Sequence, residues 1–362
     1  MKKSTISVYA LVWLCIIYTN LIAGYGDCVD SIPLAFEREV HVMTNAVRMD
    51  PAGFREYYIK VPDILLPENY PAVAPLWYSN DLSKAARFHS VDMASNCGMT
   101  HNSCNGTDWA DRIKSYYKAS SSIAENVAVG CSTGLQTVIQ WLRDENMQGV
   151  PAADKTDLAG HRTNIMNSNY HELGCGYDFS ATRQGNYFWT QDFGGGTVKN
   201  YYKIPAGCHF YPNSSVISYA ANYYDANGSA PESASVNIDG ITYPLKIHLG
   251  SNSKGTYIYS TTNDKKDHCY YFVFVDGAGN TVRFPQTVKL STGKQLCCEV
   301  ETGNYNYSGH LRNIRNTCSI ISQSQYRLDG IKITGKLQQF HSSGVTVKGE
   351  FKAAQKEVLI KK

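Results

Sequence analysis

His161 stands in the stretch LAGHRTNIMNSNYHELGCGY, residues 158–177, between Gly160 and Arg162. An imidazole there can act as a metal ligand, a catalytic base or a hydrogen-bonding scaffold, because it titrates near neutrality and its two ring nitrogens can hold different partners. His101, in THNSC, offers the same three roles. Hydrolysis would also need a nucleophile or activated water and a stabiliser for developing charge. Ser103 lies two residues from His101, yet no Gly-x-Ser-x-Gly elbow surrounds it and no oxyanion donors can be named. His89 falls on an apolar helical face and reads as a core histidine.

These residues need elements to carry them, and the apolar spacing supplies two kinds. Over residues 31–143 it is helical: Phe36, Val40, Met43 and Val47 form one stripe, Leu82, Ala86, His89 and Met93 a second, and Leu135, Ile139 and Leu142 a third. After His171 the pattern turns strand-like, Leu173 to Tyr177 and Tyr187 to Phe193 flanking a turn at residues 183–186. Helices with a closing antiparallel hairpin predict an α+β sandwich.

Gly194, Gly195 and Gly196 then interrupt the chain, and a linker with few contacts across it is expected there. Beyond it Asp239-Gly240 separates Val236 and Ile238 from an alternating run through Ile241, Tyr243, Leu245, Ile247 and Leu249. A second hairpin runs from Cys269, Tyr271, Val273 and Val275 through a turn to Val282 and Phe284. Residues 205–303 therefore read as an antiparallel immunoglobulin-like β-sandwich. Residues 304–362 read as a basic β-rich tail or added strands.

At the amino terminus Lys2 and Lys3 precede an apolar run over residues 6–23 and then Gly24, Tyr25 and Gly26, the pattern of a secretory leader over residues 1–24. The mature chain is expected to begin between Gly24 and Asp27, to be secreted and to keep no integral membrane segment. Of eleven cysteines Cys15 leaves with the leader. The remaining ten, Cys28, Cys97, Cys104, Cys131, Cys175, Cys208, Cys269, Cys297, Cys298 and Cys318, are expected to pair as disulfides with no free thiol. Asn-x-Ser/Thr acceptors at Asn105, Asn213, Asn227 and Asn306 fit the same route. A formal charge of +3 on 362 residues argues against a dedicated nucleic-acid binder, whose affinity normally rests on neutralising many phosphates.

Taken in order, THNSC, AENVAVG, WLRD, GHRTNIM and YFWTQDFG resemble the CAP superfamily, which includes cysteine-rich secretory proteins, antigen 5 and pathogenesis-related group one proteins. The resemblance spans residues 32–196 and is closest to the bacterial-type branch with Gly-His-Arg-x-Asn-Ile. It implies an α-β-α sandwich whose cleft holds two histidines and two acids, here His101, Glu125, Asp144 and His161. Such a set suits a divalent cation, zinc above all. Many animal and plant members place Glu where this chain has Asp144, so Glu145, or Asp154 and Asp157 in the following loop, are alternative acids. In the plainer alternative the histidines tie loops to the sheet, Glu125 accepts from backbone amides, and Asn126, Arg162 and Asn164 are scaffold contacts.

Three functions follow. The first is a secreted protein whose cleft binds a divalent cation or, as the resemblance implies, a small apolar ligand such as a sterol or fatty acid. The second is a cation-dependent extracellular hydrolase, in which a histidine with Glu125 orients water. The third is an adhesion or matrix protein that recognises an extracellular glycan or protein partner through the sandwich, where tyrosines are dense from Tyr201 to Tyr271. Adjacent pairs such as Tyr223-Tyr224 and Tyr270-Tyr271 point to opposite strand faces, so one of each pair is expected to be exposed.

Overall fold

The first apolar stripe becomes a helix, α1 (Ala35–Met49), in which every residue from Glu37 to Met49 is buried. Glu37 accepts the Leu34 amide at 2.7 Å, and so caps the first turn. Burial on all sides requires neighbours on all sides, and the chain supplies two layers of sheet. The computed structural model describes residues 24–28, 33–146 and 148–293, all within the unit formed by residues 1–314. Leader residues 1–23, Cys297, Cys298, Cys318, Asn306 and the basic tail lie outside the described residues.

After α1 come α2 (Pro51–Phe54), a π-helical turn (Arg55–Ile59), β1 (Trp77–Tyr78) and α3 (Asn80–Asp92), which runs into a second π-helical turn (Met93–Cys97). Then follow α4 (Trp109–Tyr116), β2 (Ile123–Val129), α5 (Gly134–Arg143), α6 (Gly160–Met166), β3 (Glu172–Phe179) and β4 (Tyr187–Gly194). The sheet order is β1-β3-β4-β2, antiparallel except for β1 against β3. Alternate side chains serve the two faces. Ala124, Ala128, Leu173, Trp189 and Phe193 join the core that holds α1 and α5, whereas Val127 and Phe188 pack with Met93 and Ala94. α3 lies so close to β3 that a Cβ on Gly174 would stand 2.1 Å from the Leu82 carbonyl carbon.

β2 is an edge strand, and its outward carbonyls are occupied. Trp141 Nε1 donates to Val127 at 3.0 Å, Gln140 Nε2 to Val129 at 3.5 Å and Asn164 Nδ2 to Glu125 at 3.4 Å.

The second half contains β5 (Gly207–Asn213), β6 (Val216–Tyr224), β7 (Ser233–Ile238), β8 (Ile241–Pro244), β9 (Lys246–Ser251), β10 (Lys254–Thr262), β11 (Cys269–Val275), β12 (Thr281–Phe284) and β13 (Leu290–Ser291). They form two antiparallel sheets, β5-β6-β10-β9 and β12-β11-β7-β8, with β13 also pairing with β11. The run expected as one strand from Ile241 to Leu249 divides after Pro244. β8 pairs with β7 in one sheet and β9 with β10 in the other. Proline lacks the amide needed to continue a ladder, and the chain changes sheet beside it.

Three expectations are corrected. The halves are not joined by a lightly contacted linker: Ala206, Cys208, Phe210, Ala220 and Leu249 belong to the same core as α1. Polar ties reinforce it, with Asn222 Nδ2 donating to Val42 O at 3.2 Å, the Gly250 amide to Asp50 at 2.8 Å and Trp77 Nε1 to Tyr202 O at 3.0 Å. Nor do all cysteines pair. Cys97 is joined to Cys104 and Cys269 is disulfide-bonded, but Cys28, Cys131, Cys175 and Cys208 are thiols. Burial pushes the Cys175 and Cys208 thiols well up, and packing rather than a cross-link holds them. Finally, Tyr271 is buried like Tyr270, because the Arg283 guanidinium lies 4.2 Å from its ring centre.

Two outcomes follow. A chain truncated after Lys199 removes the sheet that covers one side of α1, and is expected to lose its cooperative thermal transition and bind a hydrophobic dye. The second concerns Glu39, which accepts the Leu135 amide at the α5 amino terminus and is pushed by burial from its ordinary 4.5 up to about 7. Between those pH values the folded chain holds a proton that the unfolded chain releases, so this group's contribution to stability falls as pH rises from 4.5 to about 7, then levels off. Glu39→Gln removes that loss while keeping an acceptor. Thermal melts are expected to match the parent near pH 4.5 and exceed it at pH 8.

Candidate functional site

Two histidine–acid pairs flank the edge strand β2. Glu125 lies in β2, and its Oε1 meets His101 Nδ1 at 2.9 Å. Behind it the Arg112 guanidinium from α4 pairs with the other carboxylate oxygen, donates to the His101 carbonyl at 2.8 Å and reaches Ser103 Oγ at 3.2 Å. Arg112 and Glu125 are both buried, while the His101 side chain is half exposed. The loop bearing His101 is closed by the Cys97–Cys104 disulfide and held by Asp92, which accepts the Cys104 amide at 2.7 Å. His89 Nε2 meets Thr100 O at 2.7 Å beneath the loop, and burial lowers its pKa. It serves as the core histidine expected.

The second pair starts from the end of α5. Asp144 closes that helix in a left-handed conformation, φ 45°, which a short polar side chain tolerates better than most. Its carboxylate meets His161 Nδ1 at 2.5 Å and accepts the Arg162 amide at 3.0 Å. Glu145 pairs with Arg143 rather than with His161, and lines the same groove. Asp154 is engaged by Arg162 at 2.6 Å and by the Leu65 and Leu66 amides at 3.0 and 2.9 Å, and Asp157 is exposed. Arg162, fully buried, also donates to the carbonyls of Leu142, Arg143 and Ala152. Asn126 links the pairs: its Nδ2 contacts His161 O at 3.3 Å and Gln191 Oε1 at 3.1 Å, and its Oδ1 accepts from Asn164 at 2.9 Å.

Glu125 and Asn126 are consecutive in β2 and so serve opposite faces. His101 is thereby anchored through the α4 side and His161 through the α5–α6 side. In both rings Nδ1 faces a carboxylate. That arrangement fixes a tautomer and leaves Nε2 for another partner. Among the described residues no three His, Cys, Asp or Glu side chains gather as a metal-ligand group.

Two parts of the site were missed from the sequence. Arg112 is one. The other is Asp192, directly opposite Glu125 across β2 and β4 and fully buried. Burial, with the neighbouring Glu125 adding to it, pushes its carboxyl well up. Its place in WTQDFG, paired in register with AEN, was the available signal. Beside His161 lies an open groove of about 650 Å³. Trp141, Val127 and Pro151 line it with Asp144 and His161, and its rim carries the exposed side chains of Met99, Val150 and Leu158, the last 70% exposed.

Residues 43–193 match the Cysteine-rich secretory protein family, CAP. They form a CAP domain. The uncharacterized protein YkwD of Bacillus subtilis (strain 168) is 30% identical over 151 residues, 41% of this chain and 51% of YkwD, so the chain spans about half the length of that curated relative. Similar solved structures include an extracellular protein containing an SCP domain from Bacillus anthracis str. Ames, 21% identical over 40% of each chain with a TM-score of 0.27. An outer surface protein of Borrelia burgdorferi is 18% identical over 34% of this chain and 80% of its own, with a TM-score of 0.28. Venom allergen-like protein 4 of Schistosoma mansoni is 14% identical over 45% and 90%, with a TM-score of 0.26. Among the described residues no helix is long and apolar enough to cross a membrane.

The CAP domain's buried Arg112–Glu125 pair gives a direct test. Arg112→Met strands a buried carboxylate and is expected to cost about 3–5 kcal/mol in denaturant unfolding. Adding Glu125→Gln should recover most of that loss.

Proposed function

We propose that this is a secreted binding protein whose CAP domain holds a small amphipathic ligand, a fatty acid or sterol, in the groove beside His161. The single observation that carries this reading is the groove itself. A volume of about 650 Å³ lies within the range of small-molecule sites, and apolar walls with a few polar groups at one end are their usual make-up. His161, oriented by Asp144, presents Nε2 to a carboxylate or hydroxyl head, while Trp141, Val150 and Leu158 take the apolar body.

A divalent cation is the second reading, favoured by the two carboxylate-oriented imidazoles. His101 and His161 would hold it through Nε2, with Glu125 and Asp144 behind them. Two nitrogens fall short of the three protein ligands usual for catalytic zinc, and water or ligand oxygen would complete the shell. When bound, a cation would polarise a ligand's oxygen. The hydrolase alternative gains little, since Ser103 is buried and engaged by Arg112.

The second half, residues 205–303, is proposed to be an immunoglobulin-like accessory sandwich that braces the CAP domain at residues 32–196. Tyr219, Tyr223, Tyr257 and Tyr270 are spent in its core, which weakens the glycan-adhesion alternative. Asn105, Asn213 and Asn227 are exposed and open to glycosylation in a secreted chain.

Two measurements test the proposal. Lipid extraction and mass spectrometry of gently purified protein should identify a bound amphiphile. A fluorescent fatty acid and labelled cholesterol should show at least one saturable association, weakened about tenfold or more by Leu158→Asp. That variant should melt like the parent, because Leu158 is exposed. Failure of both probes to bind rejects the groove reading. For the cation, zinc should raise the melting temperature of the parent by mass action and not that of His161→Ala; a parent indifferent to zinc, magnesium and calcium rejects it.

A further inference from the structure

The short segment Gly24-Tyr25-Gly26-Asp27 is fastened at the junction between the CAP domain and the β-sandwich. The Tyr25 ring stacks on Tyr202 with centroids 4.0 Å apart. Its hydroxyl donates to Pro205 O at 2.7 Å and accepts the Tyr78 amide of β1 at 2.9 Å, and its own amide donates to Gln286 Oε1 at 2.7 Å. Asp27 is buried and accepts the amides of Thr287 and Val288 at 3.2 and 3.3 Å and the Thr287 hydroxyl. Its Oδ2 lies 2.7 Å from the Gly24 nitrogen. Among the described residues no lysine, arginine or histidine pairs with this carboxylate. A Cβ at position 24 would stand 2.7 Å from Gln286 Cβ and 2.9 Å from Thr287 Cγ2, so the place suits glycine.

The residue before Gly24 is Ala23, the small last residue of the apolar leader run. We propose that the leader is cut between Ala23 and Gly24 and that the α-ammonium released there pairs with Asp27, completing the junction between the two halves. The step is hydrolysis by a leader peptidase: water adds across the Ala23–Gly24 amide, leaving Ala23 as a carboxylate and Gly24 as an ammonium. Before the cut, Asp27 receives one neutral amide hydrogen at that position. Afterwards it faces a cation with three donors, and a buried carboxylate supported only by neutral groups gains its counter-charge. Processing would thus tighten the same contacts that carry Tyr25 against β1 and residues 285–288. The inference rests on the secretory reading, and its test separates the two.

Amino-terminal sequencing of the secreted full-length chain is expected to begin at Gly24. Full mature chains beginning at Gly24, and others keeping Ala23 ahead of it, should then be released from cleavable fusions, each with Asp27 and with Asp27→Asn. Keeping Ala23 preserves an N–H at Gly24 but removes its charge, and is expected to lower the melting temperature by about 2–4 °C in the Asp27 background. In the Asp27→Asn background it should change nothing. Equal melting of the two Asp27 chains overturns the latch even if the substituted pair does not fold, and an equal loss in both backgrounds overturns it too. A secreted chain that begins at Tyr25 or beyond also overturns the latch while leaving secretion intact. A chain retained in the cell with residues 1–23 attached overturns both.

Discussion

A helix buried on every side sets the terms for the rest of this structure. α1 lies between the CAP sheet and the β5-β6-β10-β9 sheet, and neither layer alone could keep it from water. The polar groups it carries into that interior are individually met. Arg48 spreads its guanidinium over the carbonyls of Ala74, Ile165, Asn167 and Tyr170, and burial pulls it down to about 9. His41 meets Leu76 O at 2.8 Å and is lowered by burial to about 4. A charge without a counter-charge is tolerable there because several carbonyl dipoles replace the lost water.

The same strategy builds the candidate site. Arg162 and Arg112 are buried against carbonyls and carboxylates, and each fixes the approach to one histidine rather than facing a ligand itself. What remains open is small: two imidazole faces and an apolar groove. The loop after Asp144, which supplies Val150, Pro151 and Leu158 to the groove, is itself held by Asp154, by the Arg162 guanidinium on the Ala152 carbonyl and by the Ala152 amide on the Arg143 carbonyl.

Much of this was legible in the sequence, for a physical reason. Helical stripes such as Leu82, Ala86, His89 and Met93 announce themselves because one face must be buried, and the β3–β4 hairpin does so through alternation around a polar turn. The order of motifs pointed to His101, Glu125, Asp144 and His161, which the structure arranges as two pairs. Arg112 and Asp192 stayed hidden, because a charged residue in an amphipathic helix or strand reads as solvent-facing until its register partner is known. The modular reading failed at α1 for a related reason. A stripe predicts that one face is covered, and says nothing about whether the opposite face is covered by a later part of the chain. Likewise the parity of β11 was ambiguous, aromatic and β-branched residues filling both faces, with Tyr270, Phe272 and Phe274 taking the core.

Trp141 belongs to two arrangements at once. It lines the groove, and its indole N–H closes the Val127 carbonyl on the outer edge of β2. An open sheet edge is a template on which another strand can grow, and here three side-chain donors occupy the acceptors of that template. A single ring thus serves as both wall of the groove and stopper of one rung on the sheet edge.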